Sequence, residues 1–204
     1  MAVGMDRLSL LDAGFWYLED GHTSLHIASV TIFDGPAPSY PELVDAVERK
    51  LSALPRYRMR MRTVPFGIAR PVWVDDRTFD LTFHVRHTAL PAPGGDTELR
   101  ALVERLMSQP MDADHPLWEA WLVDGMPDGQ WAVVWKVHHS MVDGVGGMAL
   151  LACMLDAGAD SKPPPALEWH ARPEPSPLRL VAAAATDRAR SGAGVARSLA
   201  AAAR

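Results

Sequence analysis

Two adjacent histidines, with an aspartate four residues beyond the second, carry most of the chemistry this sequence offers. They lie in His138-His139-Ser140-Met141-Val142-Asp143-Gly144, after the apolar run Trp131-Ala132-Val133-Val134-Trp135 and before the small-residue segment 145–150. An imidazole titrates near neutral pH, so a histidine held at a strand end is suited to take a proton from a hydroxyl or thiol. A nearby carboxylate can fix the tautomer, stabilise the imidazolium or hold the loop through an arginine, and spacing alone leaves all three open. Gly144 removes a side chain where the backbone turns, which lets a substrate or a strand approach closely. Three other readings use the same residues: structural histidines, a His139–Asp143 pair sharing a metal on a helix, or a plain helix start at Gly144, Gly146 and Gly147. A metal site needs a third and a fourth ligand. His84, His87 and His115 are available, but no spacing recommends them.

The elements that must position these residues are legible from periodicity. Residues 9–19 are apolar with sparse polar insertions and read as a short helix or turn leading into a strand. Residues 25–33 alternate and end at Asp34-Gly35-Pro36, a strand and turn. In 39–54, Leu43, Val44, Val47, Leu51 and Leu54 recur at helical spacing, with Pro41 near the start and Pro55 past the end. Segments 57–64, 71–74 and 81–90 read as β-structure. Pro91-Ala92-Pro93-Gly94-Gly95-Asp96 is a loop before a helix at 97–108, whose apolar face is Leu99, Leu102, Val103 and Leu106. Segments 118–122 and 131–137 form a hairpin-like pair, and 144–155 a third helix.

After Asp160 the character changes. Prolines at 163–165, 173, 175 and 177 interrupt secondary structure, and 178–204 is Ala-rich with Arg188, Arg190, Arg197 and Arg204. This divides the chain into a domain at 1–160 and a linker and tail at 161–204. The tail has a thin apolar stripe and no evident surface here to pack on, so it is expected to await a partner or to fray.

Composition is that of an ordinary globular domain: 204 residues, 48% apolar and 22% charged. The net charge of −5 argues against nucleic-acid binding, which wants a basic face. A single cysteine, Cys153, excludes an internal disulfide, and in its apolar setting it reads as a buried inert thiol. No signal peptide is legible at the start and no apolar run reaches the ~20 residues that span a bilayer. A cytoplasmic location is expected, with peripheral contact at the inner face of a membrane or at a lipid droplet left open. The basic run Arg56, Arg58, Arg60, Arg62 and Arg70 reads as a solvated strand face, and the seven tryptophans and ten methionines as ordinary packing.

The 138–144 stretch resembles the HHxxxDG signature of the CoA-dependent acyltransferase superfamily. More narrowly, 9–160 resembles the N-terminal domain of the bacterial wax ester synthase/diacylglycerol acyltransferase family. Pro116-Leu117-Trp118 matches that family's PLW motif, and Ser9-Leu10-Leu11-Asp12 with Phe15, Leu18 and Glu19 its opening pattern. The resemblance implies an α+β fold, a chloramphenicol-acetyltransferase-like half with a mixed β-sheet flanked by helices. It also implies acyl transfer from acyl-CoA to a long-chain alcohol or diacylglycerol, with acyl-CoA as substrate and no cofactor or metal. His139 would be the general base and His138 its support. Asp143 would anchor the loop, Gly144 supply its turn, and Pro116, Leu117 and Trp118 pack beneath the channel. Family enzymes have two similar halves with a tunnel between them, so a C-terminal half or self-association is the expected partner. Two alternatives stand: a non-catalytic remnant that binds lipid or a partner half, and a carrier-dependent condensation-type transferase.

Overall fold

The structure is a computed structural model and describes residues 5–19, 23–142 and 168–202. Helix α1 spans Leu10–Leu18. It starts where it does because the Ser9 hydroxyl accepts the Asp12 N–H (3.0 Å) while the Asp12 carboxylate accepts the Ser9 N–H (3.3 Å), a reciprocal cap. Strand β1 (His26–Phe33) follows, then α2 (Tyr40–Leu51), β2 (Met59–Arg62) and β3 (Val72–Asp75). A single helical turn, α3 (Leu81–His84), leads into β4 (Val85–Ala89), α4 (Asp96–Ser108), β5 (Trp118–Asp124) and β6 (Trp131–His138). The last helix, α5, runs over Pro177–Ala202.

Four strands form one sheet in the order β1-β6-β5-β4. β6 is antiparallel to both neighbours, while β4 and β5 are parallel, as a crossover through α4 permits. Parallel and antiparallel pairs in one sheet, with helices against it, give the expected mixed α+β architecture. The crossover loop passes the β5–β6 turn so closely that a Cβ on Gly94, at φ +77°, would lie 1.8 Å from the Gly125 carbonyl oxygen. Only glycine fits there. β2 and β3 form a separate antiparallel pair.

Alternation along β6 divides the core. Ala132 and Val134 face α4, packing with Leu99, Leu102 and Leu106. Trp135 and Val137 face the larger cluster with Trp118, Val85, Leu117, Met59 and Met61. The register sets His26 opposite His138 and Trp118 opposite Val137, so the end of β6 lies between the starts of β1 and β5.

Several expectations need correction. Segment 81–90 opens as a helical turn because the Asp80 carboxylate caps the Thr82 N–H at 2.9 Å; only 85–89 is strand. Within 57–64, strand is confined to β2, preceded by a 3-10 turn over Pro55–Arg58. The described part of the proline-rich stretch, 168–176, is a strap. Arg172 donates to both carboxylate oxygens of Asp75 (2.9 and 2.8 Å), and Glu174 pairs with Arg60 (2.7 Å) and Arg62 (2.9 Å). The tail does find a surface: Leu180 and Ala184 of α5 are buried against Val64, Val72 and Val74. The basic run is not a solvated face either. Arg56 pairs with Asp6 and lies over Trp73, Arg58 is buried beside Phe79 and Trp169, and Arg70 donates to the Leu8 carbonyl. Asp143, Gly144, Cys153, the 144–155 helix and Pro163–Pro165 fall outside the described residues.

Candidate active site

The two histidines divide at the end of β6. His138 is the last strand residue and is 1% exposed. Its backbone N–H donates to the Leu117 carbonyl at 3.0 Å, so the Pro116-Leu117-Trp118 segment clamps the strand end. Pro116, Leu117 and Trp118 are all buried. The Trp118 indole N–H donates to the Tyr57 carbonyl (2.8 Å), and its ring stacks on Trp135 at 5.2 Å.

Both ring nitrogens of His138 are committed. Nε2 donates to Glu19 Oε2 at 2.8 Å, and Nδ1 accepts the Ser140 backbone N–H at 3.0 Å with the Ser140 hydroxyl 2.6 Å away. These partners select the neutral Nε2–H tautomer. Burial lowers the His138 pKa, against the opposing pull of the Glu19 carboxylate. A neutral imidazole whose lone pair already accepts a backbone N–H has no free basic nitrogen.

His139 differs on each count. It opens a 3-10 turn over His139–Met141, is only partly buried, and its backbone N–H donates to the Leu25 carbonyl at 2.9 Å. Phe15 of α1 stacks on its ring, centroids 4.7 Å apart and planes inclined by 25°. Among the described residues no group hydrogen-bonds to its ring nitrogens. One face of the imidazole is therefore held while its edge, among the described residues, has no partner.

Beneath the pair lies a layer that sequence reasoning did not single out. His26, opposite His138, donates from Nε2 to the Met107 carbonyl at 2.6 Å; Lys136, fully buried, donates to the Leu106 (2.7 Å) and Gln109 (2.5 Å) carbonyls. Together they satisfy the open carbonyl end of α4, where positive charge is favoured. Burial lowers the pKa of both His26 and Lys136. The available signal was a lysine at an inward position of an otherwise apolar strand.

His84, His87 and His115 are engaged elsewhere. His84 is buried between Phe79 and Trp118, with Nδ1 donating to the Trp118 carbonyl at 2.9 Å. His115 meets Asp76 at 3.3 Å, and His87 meets Asp124 at 2.5 Å. Among the described residues no three histidine, cysteine or carboxylate side chains gather as metal ligands would.

With this geometry in view, the chain compares closely with known proteins. The family described as the wax ester synthase/diacylglycerol acyltransferase catalytic domain matches residues 8–204. A probable diacylglycerol O-acyltransferase of Mycobacterium tuberculosis is 39% identical over 186 residues, covering 89% of this chain and 68% of that protein. Another from the same species is 40% identical over 154 residues, 74% of this chain and 33% of its own length. The wax ester synthase/diacylglycerol acyltransferase of Marinobacter aquaeolei VT8 superposes with a TM-score of 0.64 at 33% identity, over 80% of this chain and 42% of its own. The first condensation domain of the calcium-dependent antibiotic synthetase, at 18% identity and a TM-score of 0.61 over 74% of this chain, shares the fold alone. The chain thus has the chloramphenicol-acetyltransferase-like α+β fold and belongs, as an N-terminal domain, to the wax ester synthase/diacylglycerol acyltransferase family.

Proposed function

We propose that this chain carries the general base of an acyl-CoA-dependent O-acyltransferase, with His139 acting on the hydroxyl of a diacylglycerol or long-chain alcohol. The observation that supports this most directly is the division of labour between the histidines. His138 has both nitrogens occupied, whereas His139 has a braced ring whose nitrogens have no hydrogen-bond partner among the described residues. His139 takes the hydroxyl proton as the oxygen attacks the thioester carbonyl, and the resulting imidazolium returns it to the departing CoA sulfur. The proton is conserved, the ester C–O bond forms as the C–S bond breaks, and the enzyme is regenerated without a covalent intermediate or a cofactor. Asp143 anchors the loop and Gly144 turns it in this reading. Pro116, Leu117 and Trp118 act as scaffold.

Two apolar substrates must meet at one base, which favours an enclosing wall from elsewhere. The longer relatives support a C-terminal half in that role, with self-association as the other way to complete the wall. The acceptor is insoluble in water. Exposed Leu10, Leu11, Tyr17 and Leu18 on α1, the helix that carries Phe15, are suited to contact with a lipid surface at the cytoplasmic face of a membrane or droplet. No helix among the described residues is long and apolar enough to cross a membrane.

The test is CoA thiol release from palmitoyl-CoA, with hexadecanol or dipalmitoylglycerol as acceptor and His139→Ala alongside. Acceptor-dependent release that disappears in the variant is the expected result. Release equal in both chains would sink the assignment of the base.

A further inference from the structure

We propose that Glu19 is a positioning residue for this acyl transfer, bracing both histidines with one carboxylate. The inference rests on the reading of His139 as the base, and extends it to a residue 120 positions away in sequence that the transfer itself does not require.

The carboxylate has two arms. Oε2 accepts the His138 Nε2–H at 2.8 Å and thereby sets that ring's tautomer. The tautomer leaves Nδ1 as acceptor for the Ser140 N–H, which shapes the turn that carries His139. Oε1 accepts the Leu25 N–H at 3.4 Å, and the Leu25 carbonyl holds the His139 N–H at 2.9 Å. Glu19 is also the C-terminal cap of α1, its own N–H donating to the Phe15 carbonyl at 3.2 Å. One residue therefore links the helix that lays Phe15 on the His139 ring, the side chain of His138 and the backbone of His139.

Charge supports the same assignment. Among the described residues, the ionisable groups around the carboxylate are His26 from β1, Lys136 and His138 from β6 with His139 just beyond, and Glu119 from β5 with Arg86 from β4 behind them. Of the two carboxylates, Glu19 is the one hydrogen-bonded to His138. The anionic carboxylate opposes the effect of burial on the His138 ring that it holds.

Three variants separate geometry from charge. Glu19→Gln keeps an acceptor for His138 and removes the charge, Glu19→Ala removes both, and Glu19→Asp keeps the charge on a shorter arm. The first measurement is independent of turnover: ring 15N shifts of the histidines in the 204-residue chain across pH. We expect Glu19→Ala to abolish the fixed Nε2–H signature of His138. The second measurement is kcat and KM in the thiol-release assay. A fall in kcat of roughly tenfold for Glu19→Ala with KM within about twofold, a smaller fall for Glu19→Gln and partial rescue by Glu19→Asp are expected. An unchanged Nε2–H signature of His138 in Glu19→Ala overturns the proposal, as does a full kcat in Glu19→Ala. Failure of the underlying base assignment has a different signature, since wild type and His139→Ala would then release thiol equally while the 15N arm still reports on Glu19.

Discussion

Acidifying the protein from about pH 7 to about pH 4.5 should cost it stability through one identifiable side chain beneath the site. His84 is fully buried, stacked between Phe79 at 5.1 Å and Trp118 at 4.6 Å. Its Nδ1–H donates to the Trp118 carbonyl, and its buried Nε2 has no hydrogen-bond partner among the described residues. Protonation would put an unsatisfied N–H⁺ into an aromatic stack. Burial accordingly lowers its pKa from 6.5 to about 4, aided by His115 and Arg86 and opposed by the Trp118 carbonyl and Asp76. As pH falls through 6.5 the unfolded chain takes up a proton that the native state accepts only near 4. In that window the unfolded state binds more protons, so stability drops with pH. A depression of about two and a half units, at 1.36 kcal/mol per unit, sets an upper value of about 3 kcal/mol. The assay is urea unfolding followed by tryptophan fluorescence at the two pH values, for wild type and His84→Phe. The variant keeps an aromatic ring in the stack and cannot titrate. Its loss on acidification should be smaller than that of wild type by about 2–3 kcal/mol. Equal losses, to within about 0.5 kcal/mol, would refute the assignment, because His26, His138 and the carboxylates contribute alike to both proteins.

Two further outcomes follow from contacts away from that stack. Phe15→Ala frees one face of the His139 ring, and loss of an aromatic contact worth about 0.5–1.5 kcal/mol should lower kcat roughly 2–10-fold at unchanged helix content. An unaltered rate would show that the stack does not orient the base. Asp75→Ala removes the carboxylate that holds Arg172, so proteinase K should cut within 168–176 roughly fivefold faster than in wild type. The Arg172 hydrogen bond also keeps the Asp75 pKa below its ordinary value, so wild type should approach the variant's cleavage rate only as pH falls through that lowered value. Cleavage at the wild-type rate in Asp75→Ala would mean that other contacts hold the strap.

What the sequence by itself determined is the local grammar. Period-two alternation marked β1, a continuous apolar run marked β6, helical spacing of Leu99, Leu102 and Leu106 marked α4, and two histidines after an apolar strand marked the site. Each of these is written in side chains within a few residues of one another, where backbone geometry fixes which of them share a face. Tertiary structure alone decided that His138 has both ring nitrogens engaged while those of His139, among the described residues, have no hydrogen-bond partner. His138 loses its lone pair to Ser140 and its N–H to Glu19, 119 residues earlier, and no local pattern encodes that meeting. The parallel pairing of β4 with β5, the capping of α4 by His26 and Lys136, and the burial of Leu180 and Ala184 against the β2–β3 pair are likewise products of topology. A charged or apolar residue in sequence announces only that it needs a partner; the chain's path through space chooses it, because buried polar groups and apolar faces are satisfied by whatever the fold brings within reach.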